Sequence, residues 1–457
     1  NISIDGNVDK VSITDQKKKF DSFGWQVLEV DGHNEIEIKN AIDISKEETN
    51  KPSLIIAKST IGKFAPNKQN TSSIHGAPLG SEEMQLFLGE IGWEGDPFEH
   101  SNDIYEYFAE KRLEDDKSFE KWNSNLNNKL TNDGSFKKLW EQFEKNELNF
   151  PESFEIQDAA TRVTGGNYMK LIGLDNKFVL GGSADLAAST KQIISDESYT
   201  SKNRSGQNIE FGIREHSMAA VVNGISLHSN LFAFGSTFLV FSDYMRPSIR
   251  LASLMNLNSA YIFTHDSIYL GEDGPTHQPI EHLMSLRLIP GLDVIRPSNS
   301  IETIFAYKYL FSNTKNPKAL SLTRQNLKFL NYDVAYSDFL NGGFVISKGK
   351  DLTIFASGSE VNLALEVKEM LKEFSIQIVS VPILNKLTPE ISKSLNNNKF
   401  IFTIELGKSA GWSDYIGNIT ESFSVQTFGK SAPEKDLAEF FKVNAESIGE
   451  KIRNYLS

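Results

Sequence analysis

The stretch THDSIYLGEDGPTHQP (residues 264–279) holds two histidines, three acidic side chains, two glycines and two prolines. It grows out of SAYIFTHDS (259–267), whose aromatic and β-branched residues predict a strand ending in the loop. Proton carriers just past a strand end are what an open α/β sheet offers a ligand. The neighbouring sequence repeats the pattern. FVLGGSADL (178–186) reads as a strand running into a Gly turn, and FAFGSTFLVFSDYMRPSIRLASL (232–254) as strand, loop and helix. LDVIRPS (292–298) and ALSLTRQN (319–326) read as further strands. A helix is expected to start near Asp158, and SMAAVVNGISLH (217–228) reads as a helix of small residues. This alternation implies a parallel sheet with helices on its faces.

Similar layers flank this segment. WQVLEV (25–30) and SLIIAKS (53–59) read as buried strands around an amphipathic helix, EIEIKNAIDISKEE (35–48). DLTIFASGSEV, IQIVSVPIL and KFIFTIEL alternate with helices from about residue 335 onward. Between the first two layers the chain is charged, with aromatics at helical spacing, and reads as a surface helical linker. The fold class is therefore α/β, as successive parallel-sheet domains. The expected boundaries are 1–100, a helical linker 101–150, then 151–327 and 335–457.

Composition narrows the function. The 457 residues are 39% hydrophobic and carry a formal charge of −13, which argues against nucleic acid as the main partner. No apolar run is long enough for a membrane helix. The absence of Cys excludes disulfides, thiolate metal sites and Cys nucleophiles. Eight of the ten Arg lie between Arg162 and Arg324, pointing to an anionic ligand there.

Four features carry chemistry. Glu215 opens the helix in FGIREHSMAAVVNGISLH (211–228), where a carboxylate either caps helix amides or holds a proton. Phe238, Phe241 and Tyr244 fall at i, i+3 and i+6, which fits a core stripe or a shelf for a flat heterocycle. His265 and His277 lie on a Gly/Pro-stiffened loop without metal-site spacing, which suits hydroxyl recognition and proton transfer. Gly181-Gly182 allows close backbone approach, with Asp185 and Ser189 as polar contacts.

FGIREHSM, STFLVFSDY, THDSIYLGEDGPTHQP, GGSADL, LTRQNL and SIHGAPLG together resemble transketolase, the thiamine-diphosphate enzyme. ASGSEVNLA (356–364) and TFGKSAP (427–433) are similar to its third domain, so the resemblance spans essentially the whole chain. It implies a diphosphate-binding domain, a pyrimidine-binding domain and a C-terminal transketolase-type domain. It implies a cytoplasmic homodimer with each active site across the subunit interface, and thiamine diphosphate with Mg²⁺ or Ca²⁺ as cofactors.

The implied reaction moves a two-carbon ketol unit through a thiamine-diphosphate carbanion. The donor is a ketose phosphate such as xylulose 5-phosphate. The acceptor is an aldose phosphate such as ribose 5-phosphate or erythrose 4-phosphate, in the pentose phosphate pathway. By resemblance, Glu215 matches the carboxyl at the pyrimidine N1′. Phe238, Phe241 and Tyr244 match the pyrimidine pocket, and Asp185 a residue lining the cofactor. Arg162, Ser189, His265 and Arg324 match the phosphate-binding group, and Asp273 the reader of the acceptor C2 hydroxyl. His277 and His75 match histidines that bind substrate hydroxyls and relay protons near the cofactor. Ile2 matches the position whose carbonyl binds the metal. Asp266 and Glu272 are left to structural hydrogen bonds.

Three departures and alternatives stand beside this reading. The family's Gly-Asp-Gly metal motif does not occur ahead of Ile2, and Asn1-Ile2-Ser3-Ile4-Asp5-Gly6 resembles a strand end and its turn. The chain is accordingly expected to lack the N-terminal part of the diphosphate-binding domain, to need that segment for cofactor binding, and to be inactive alone. The alternatives are a dihydroxyacetone synthase, a 1-deoxyxylulose-phosphate synthase or a catalytically incomplete fragment.

Overall fold

The chain opens on a hairpin, in which β1 (Ile2–Ser3) turns at Ile4-Asp5 into the antiparallel β2 (Gly6–Asn7). β3 (Gln26–Asp31) and β4 (Ser53–Lys58) then pair in parallel, with the helix Glu35–Glu47 between them in sequence. This is the expected strand–helix–strand layer, but it is shallower than expected. β3 buries only Val27 and Val30, and β4 buries no residue fully. A two-stranded sheet leaves an unpaired edge on each side, and the helices Gln16–Ser22 and Glu35–Glu47 pack on it without enclosing it.

The computed structural model describes residues 1–96 and 98–456. They fall into two compact units, Asn1–Asn125 and Leu126–Ser457. The charged stretch after the first layer is helical, as the sequence predicts, over Asn102–Asn132 and Gly134–Lys145, and neither helix buries a residue fully.

The second unit holds two five-stranded sheets. The first is built from β5 (Val179–Ser183), β6 (Phe232–Phe238), β7 (Ala260–Thr264), β8 (Asp293–Ile295) and β9 (Lys318–Leu322). Their order is β5-β6-β7-β9-β8, and every pair is parallel. Alternate residues of β7 enter different cores. Ala260 and Ile262 join Tyr168, Phe234 and Tyr307, whereas Tyr261 and Phe263 join Met218, Met245 and Ile249. Burial on both faces explains why the strand reads as one apolar run rather than alternating. Phe238 pairs with Thr264, and Thr264 with Leu322, so the loops leaving β6, β7 and β9 start at one level.

Two expectations fail here for local reasons. The helix expected near Asp158 begins at Thr161. Ala159 instead forms an antiparallel bridge to Leu327, and the Asp158 carboxylate accepts from the Phe329 amide at 2.7 Å, which keeps the chain extended. Gly181-Gly182 forms no turn but lies inside β5. A Cβ at Gly181 would sit 2.2 Å from the Phe234 carbonyl oxygen, and one at Gly182 2.0 Å from that of Ile209. Close backbone approach demands these glycines, and the turn comes later, at Asp185 (φ 61°).

The second sheet comprises β10 (Phe344–Ser347), β11 (Leu352–Ala356), β12 (Ile376–Ser380), β13 (Phe400–Glu405) and β14 (Glu421–Ser424). It is ordered β10-β12-β11-β13-β14, parallel except for the edge strand β10. A dry ionic network joins it to the first sheet. Arg296, fully buried, donates Nε to Asp266 at 2.8 Å and Nη2 to Glu360 at 3.1 Å, and its Nη1 also meets Glu360. Arg287 grips Glu405 with two bonds of 2.7 and 2.8 Å, and Trp412 Nε1 donates to the same carboxylate at 2.7 Å. Burial pushes the Glu360 carboxyl up despite Arg296. At Glu405 burial acts in the same sense, but Arg287 and Arg296 overcome it and hold the carboxyl below its usual range. Asp266, expected to have a structural role, is this network's link to the loop after β7.

Lys318 starts β9 at the end of the sheet away from those loops. Its Nζ is buried, donating to Asn258 at 2.7 Å and to the Ser312 carbonyl at 3.1 Å. Burial pulls the ammonium down to about 7, with Asp293 resisting and Lys386 adding to the fall. Lys318→Met is therefore expected to stabilise the fold at pH 7 by about 1–3 kcal/mol. An unfolded lysine keeps its proton to about pH 10.4. Between 7 and that value the unfolded state binds more protons, so wild-type stability rises with pH and the Met advantage shrinks. Urea unfolding at pH 7 and 9.5 checks this; an advantage that grows with pH contradicts it.

Candidate active site

β7 ends at Thr264 and the chain turns at once, placing His265 in the left-handed region at φ 60°. The imidazole is 3% exposed and packs on Phe238 with ring centroids 3.8 Å apart. Thr264 Oγ1 lies 2.8 Å from its Nδ1, and Arg162 Nη1 lies 3.5 Å from its Nε2. Burial pulls the ring down to about 3, helped by Arg162, Arg324 and His277. His265 is thus a neutral group among cations. Burial and the nearby Arg324 also lower the Arg162 guanidinium. Arg162 Nη1 donates to the Ser189 carbonyl at 2.6 Å, while its buried Nε has no hydrogen-bond partner among the described residues. Neither Arg162 nor Arg324 forms an ion pair with a described residue. Two guanidiniums near enough to act on one another, neither ion-paired and with Glu434 as the carboxylate that Arg324 feels, suit an anion with several oxygens.

Beside them lie stacked aromatic rings. Phe238 and Phe241 stack at 5.9 Å and 12°, and Phe241 meets Tyr244 at 6.0 Å. The stripe runs outward from the core: Phe238 is 7% exposed and Tyr244 63%. His277 packs edge-on against both phenylalanines, with centroids 6.3 and 5.6 Å away. Thr276 Oγ1 sits 2.9 Å from its Nδ1. Both loop histidines thus have Nδ1 engaged by the preceding threonine; Nε2 of His265 faces Arg162, whereas that of His277 has no hydrogen-bond partner among the described residues. The repeated Thr-His dipeptide was the sequence signal for this device, and composition alone misses it.

Glu215 is the first residue of the helix Glu215–His228. Its side chain is half-buried in the first turn of the helix, where a negative charge is favourable. Asp185 is exposed and lines a cavity of about 590 Å³ with Gly182, Ser183, Ala188, Glu210 and Arg214. Ser189 joins the arginine cluster through its carbonyl, not its hydroxyl. Asp273 is exposed on the loop between Gly271 and Gly274, both at positive φ. Glu272 contributes its backbone carbonyl, which accepts from Ser431. His75 and Ile2 belong to the first unit: His75 is exposed and ends a 3-10 turn, and Ile2 pairs with Asn7 in the opening hairpin.

Comparison with known proteins decides the family. Successive segments match the transketolase thiamine diphosphate binding domain (1–148), the transketolase pyrimidine binding domain (157–329) and the transketolase-like C-terminal domain (342–444). The transketolase of Bacillus subtilis is 37% identical over 99% of this chain and 71% of its own length. The chain belongs to the transketolase family.

Transketolase structures agree. That of Campylobacter jejuni superposes with a TM-score of 0.90 at 33% identity, over 99% of this chain and 71% of its own. That of Leishmania mexicana gives 0.93 at 29% identity, over 99% and 69%. As a transketolase, the protein is a thiamine-diphosphate-dependent transferase of two-carbon units between sugar phosphates, with the expected α/β fold. The arginine bias is only partly explained by a sugar-phosphate ligand. Arg162 and Arg324 flank the site, but Arg287 and Arg296 serve the buried joint between sheets. A residue count cannot separate those two uses.

Proposed function

We propose that the strand ends of the first five-stranded sheet form the pyrimidine- and phosphate-binding half of the transketolase site. The observation that carries this is the Arg162–Arg324 pair, without an ion pair to any described residue, around a neutral His265 and beside aromatic rings that run outward. Arg162 and Arg324 hold the sugar phosphate, with His265 and Ser189 completing the cradle. The shelf of Phe238, Phe241 and Tyr244 takes a flat pyrimidine ring of the right size for stacking. Glu215 holds a proton at the pyrimidine N1′, and Asp185 lines the cofactor. His277 and His75 bind substrate hydroxyls and carry protons, and Asp273 reads the acceptor hydroxyl. Thiamine diphosphate supplies, when bound, the electron sink that lets a carbon–carbon bond break and re-form.

The divalent ion is a different matter. Ile2 offers a single backbone carbonyl, whereas Mg²⁺ needs about six oxygens. The one cluster of metal-capable side chains among the described residues, Asp243, Glu281 and His282, does not include Ile2. The residues present do not by themselves build the Mg²⁺ or Ca²⁺ site, which fits the reading that this chain alone is inactive.

A homodimer with shared active sites is part of the proposal. It is supported by exposed apolar side chains along the two packed helices Glu215–His228 and Ser242–Leu254, among them Leu227, Leu251 and Leu254 at 62, 49 and 68%. No described helix is long and apolar enough to cross a membrane; the cytoplasmic setting and the pentose phosphate pathway rest on the family resemblance. The test is a coupled assay of the holoenzyme. Turnover is expected with xylulose 5-phosphate and ribose 5-phosphate and not with pyruvate and glyceraldehyde 3-phosphate. The opposite pattern would overturn the transketolase reading in favour of 1-deoxyxylulose-phosphate synthase.

A further inference from the structure

Gln278 ends the loop that carries Asp273 and His277, and its side chain is 2% exposed. Its Nε2 faces three carbonyl oxygens: Ile268 at 3.2 Å, Gly271 at 3.0 Å and Lys430 at 2.9 Å. An amide has only two N–H donors, so they are shared, and one side chain ties both ends of the loop to a segment more than 150 positions away. That segment, Thr427–Pro433, follows β14 in the second sheet. It touches the loop again at two points. Ser431 Oγ donates to the Glu272 carbonyl, and a Cβ on Gly274 would lie 3.2 Å from Ser431 Cβ. Gly429 is pressed against the amide from outside: a Cβ there would fall 1.6 Å from Gln278 Oε1.

The start of the loop is anchored on the same side. Ile268 and Ile280 share a buried cluster with Leu406, Val425, Leu437 and Val443, and Tyr269 donates to the Val443 carbonyl at 3.1 Å. The free span of the loop is therefore Gly271–His277, closed by His277 N and Gln278 N donating to the Gly274 carbonyl at 3.0 Å each.

We propose that Gln278 is a positioning residue and that Thr427–Pro433 is the template it works against. The C-terminal sheet thereby sets where Asp273 and His277 stand relative to the Phe238–Phe241 shelf. This rests on the proposed roles of those two residues. It assigns the third domain a part in catalysis without contact to substrate or cofactor. Loss of the clamp removes no proposed cofactor- or substrate-binding side chain but frees the seven-residue loop that carries Asp273 and His277, and displacements of about 1 Å at such positions cost about 10²-fold in rate.

The experiment compares wild type, Gln278→Leu and Ser431→Ala as holoenzymes, by steady-state kinetics and by hydrogen exchange of the His277 and Gln278 amides. Gln278→Leu is expected to speed that exchange at least tenfold and lower kcat at least tenfold, with the KM for thiamine diphosphate within twofold. Ser431→Ala, which removes one tie only, is expected to fold normally and shift both readouts in the same direction by a smaller factor, so it decides the matter if the Leu variant does not fold. Unchanged exchange overturns the clamp. Faster exchange with unchanged kcat overturns the positioning role. A failure of the transketolase reading itself would show separately, as wild-type turnover of pyruvate and glyceraldehyde 3-phosphate in the coupled assay.

Discussion

Glu215→Ala is expected to lower kcat of the holoenzyme by about 10²–10⁴-fold, the range for removing a general acid–base group, at saturating thiamine diphosphate. The expectation follows from what the carboxylate does not do. It heads the helix Glu215–His228, where the exposed amide ends favour negative charge, yet it makes no capping bond there. It enters no ion pair with a described residue. Its removal leaves the buried face of that helix, Met218, Ala219 and Val222, untouched. The stability change is therefore expected to stay within about 0.5 kcal/mol, as for a surface substitution. Glu215→Gln separates the two aspects of the role. The amide keeps a hydrogen-bonding group at the pyrimidine N1′ but cannot exchange a proton with it, so cofactor affinity should suffer less than turnover. Steady-state rates and calorimetric cofactor titration measure both, and unchanged turnover in the Ala variant would remove Glu215 from the mechanism.

The second large effect lies far from the chemistry. Arg296→Met is expected to destabilise the second unit by about 3–5 kcal/mol, the cost of leaving buried charge without its partner. The network around Arg296 already has three carboxylates, Asp266, Glu360 and Glu405, against two guanidiniums. Removing one guanidinium leaves three against one, out of reach of bulk solvent, since these side chains are at most 1% exposed. Arg296→Met combined with Glu360→Leu should recover part of the loss, because it removes the charge that Arg296 contacts most closely. Denaturant unfolding of the three proteins at pH 7 is the check. A single variant within about 1 kcal/mol of wild type would mean that packing, and not this network, joins the sheets.

Much of this was legible in the residues themselves. β7 and β9 are short apolar runs bounded by polar loops, and two-sided burial makes such runs easy to place. The candidate site was legible because ligand groups follow strand ends: His265 after β7, Arg324 after β9, Phe238 at the end of β6. What escaped depended on partners distant in sequence. Gly181-Gly182 reads as a turn until Phe234 and Ile209 are known to press on it. Asp158 reads as a helix start until Leu327 and Phe329 claim that segment. Arg287 and Arg296 read as ligand-seeking cations until β13 and the helix Glu360–Met370 supply their carboxylates. Gln278 carries no signal of its own in the sequence, because one of its three acceptors, the Lys430 carbonyl, lies on another sheet's loop.

The left-handed backbone at Asp185 (φ 61°) and His265 (φ 60°) limits how these two positions can drift over generations. Outside glycine, Asn, Asp and His enter that region most readily, and β-branched side chains are strongly disfavoured. A substitution at either place is judged twice, once for the polar group it brings and once for the backbone it must accept. Glycine satisfies the second demand and fails the first; Thr or Val fail the second outright. Geometry alone thus weighs against β-branched residues at these two proposed ligand positions, before any selection on chemistry begins.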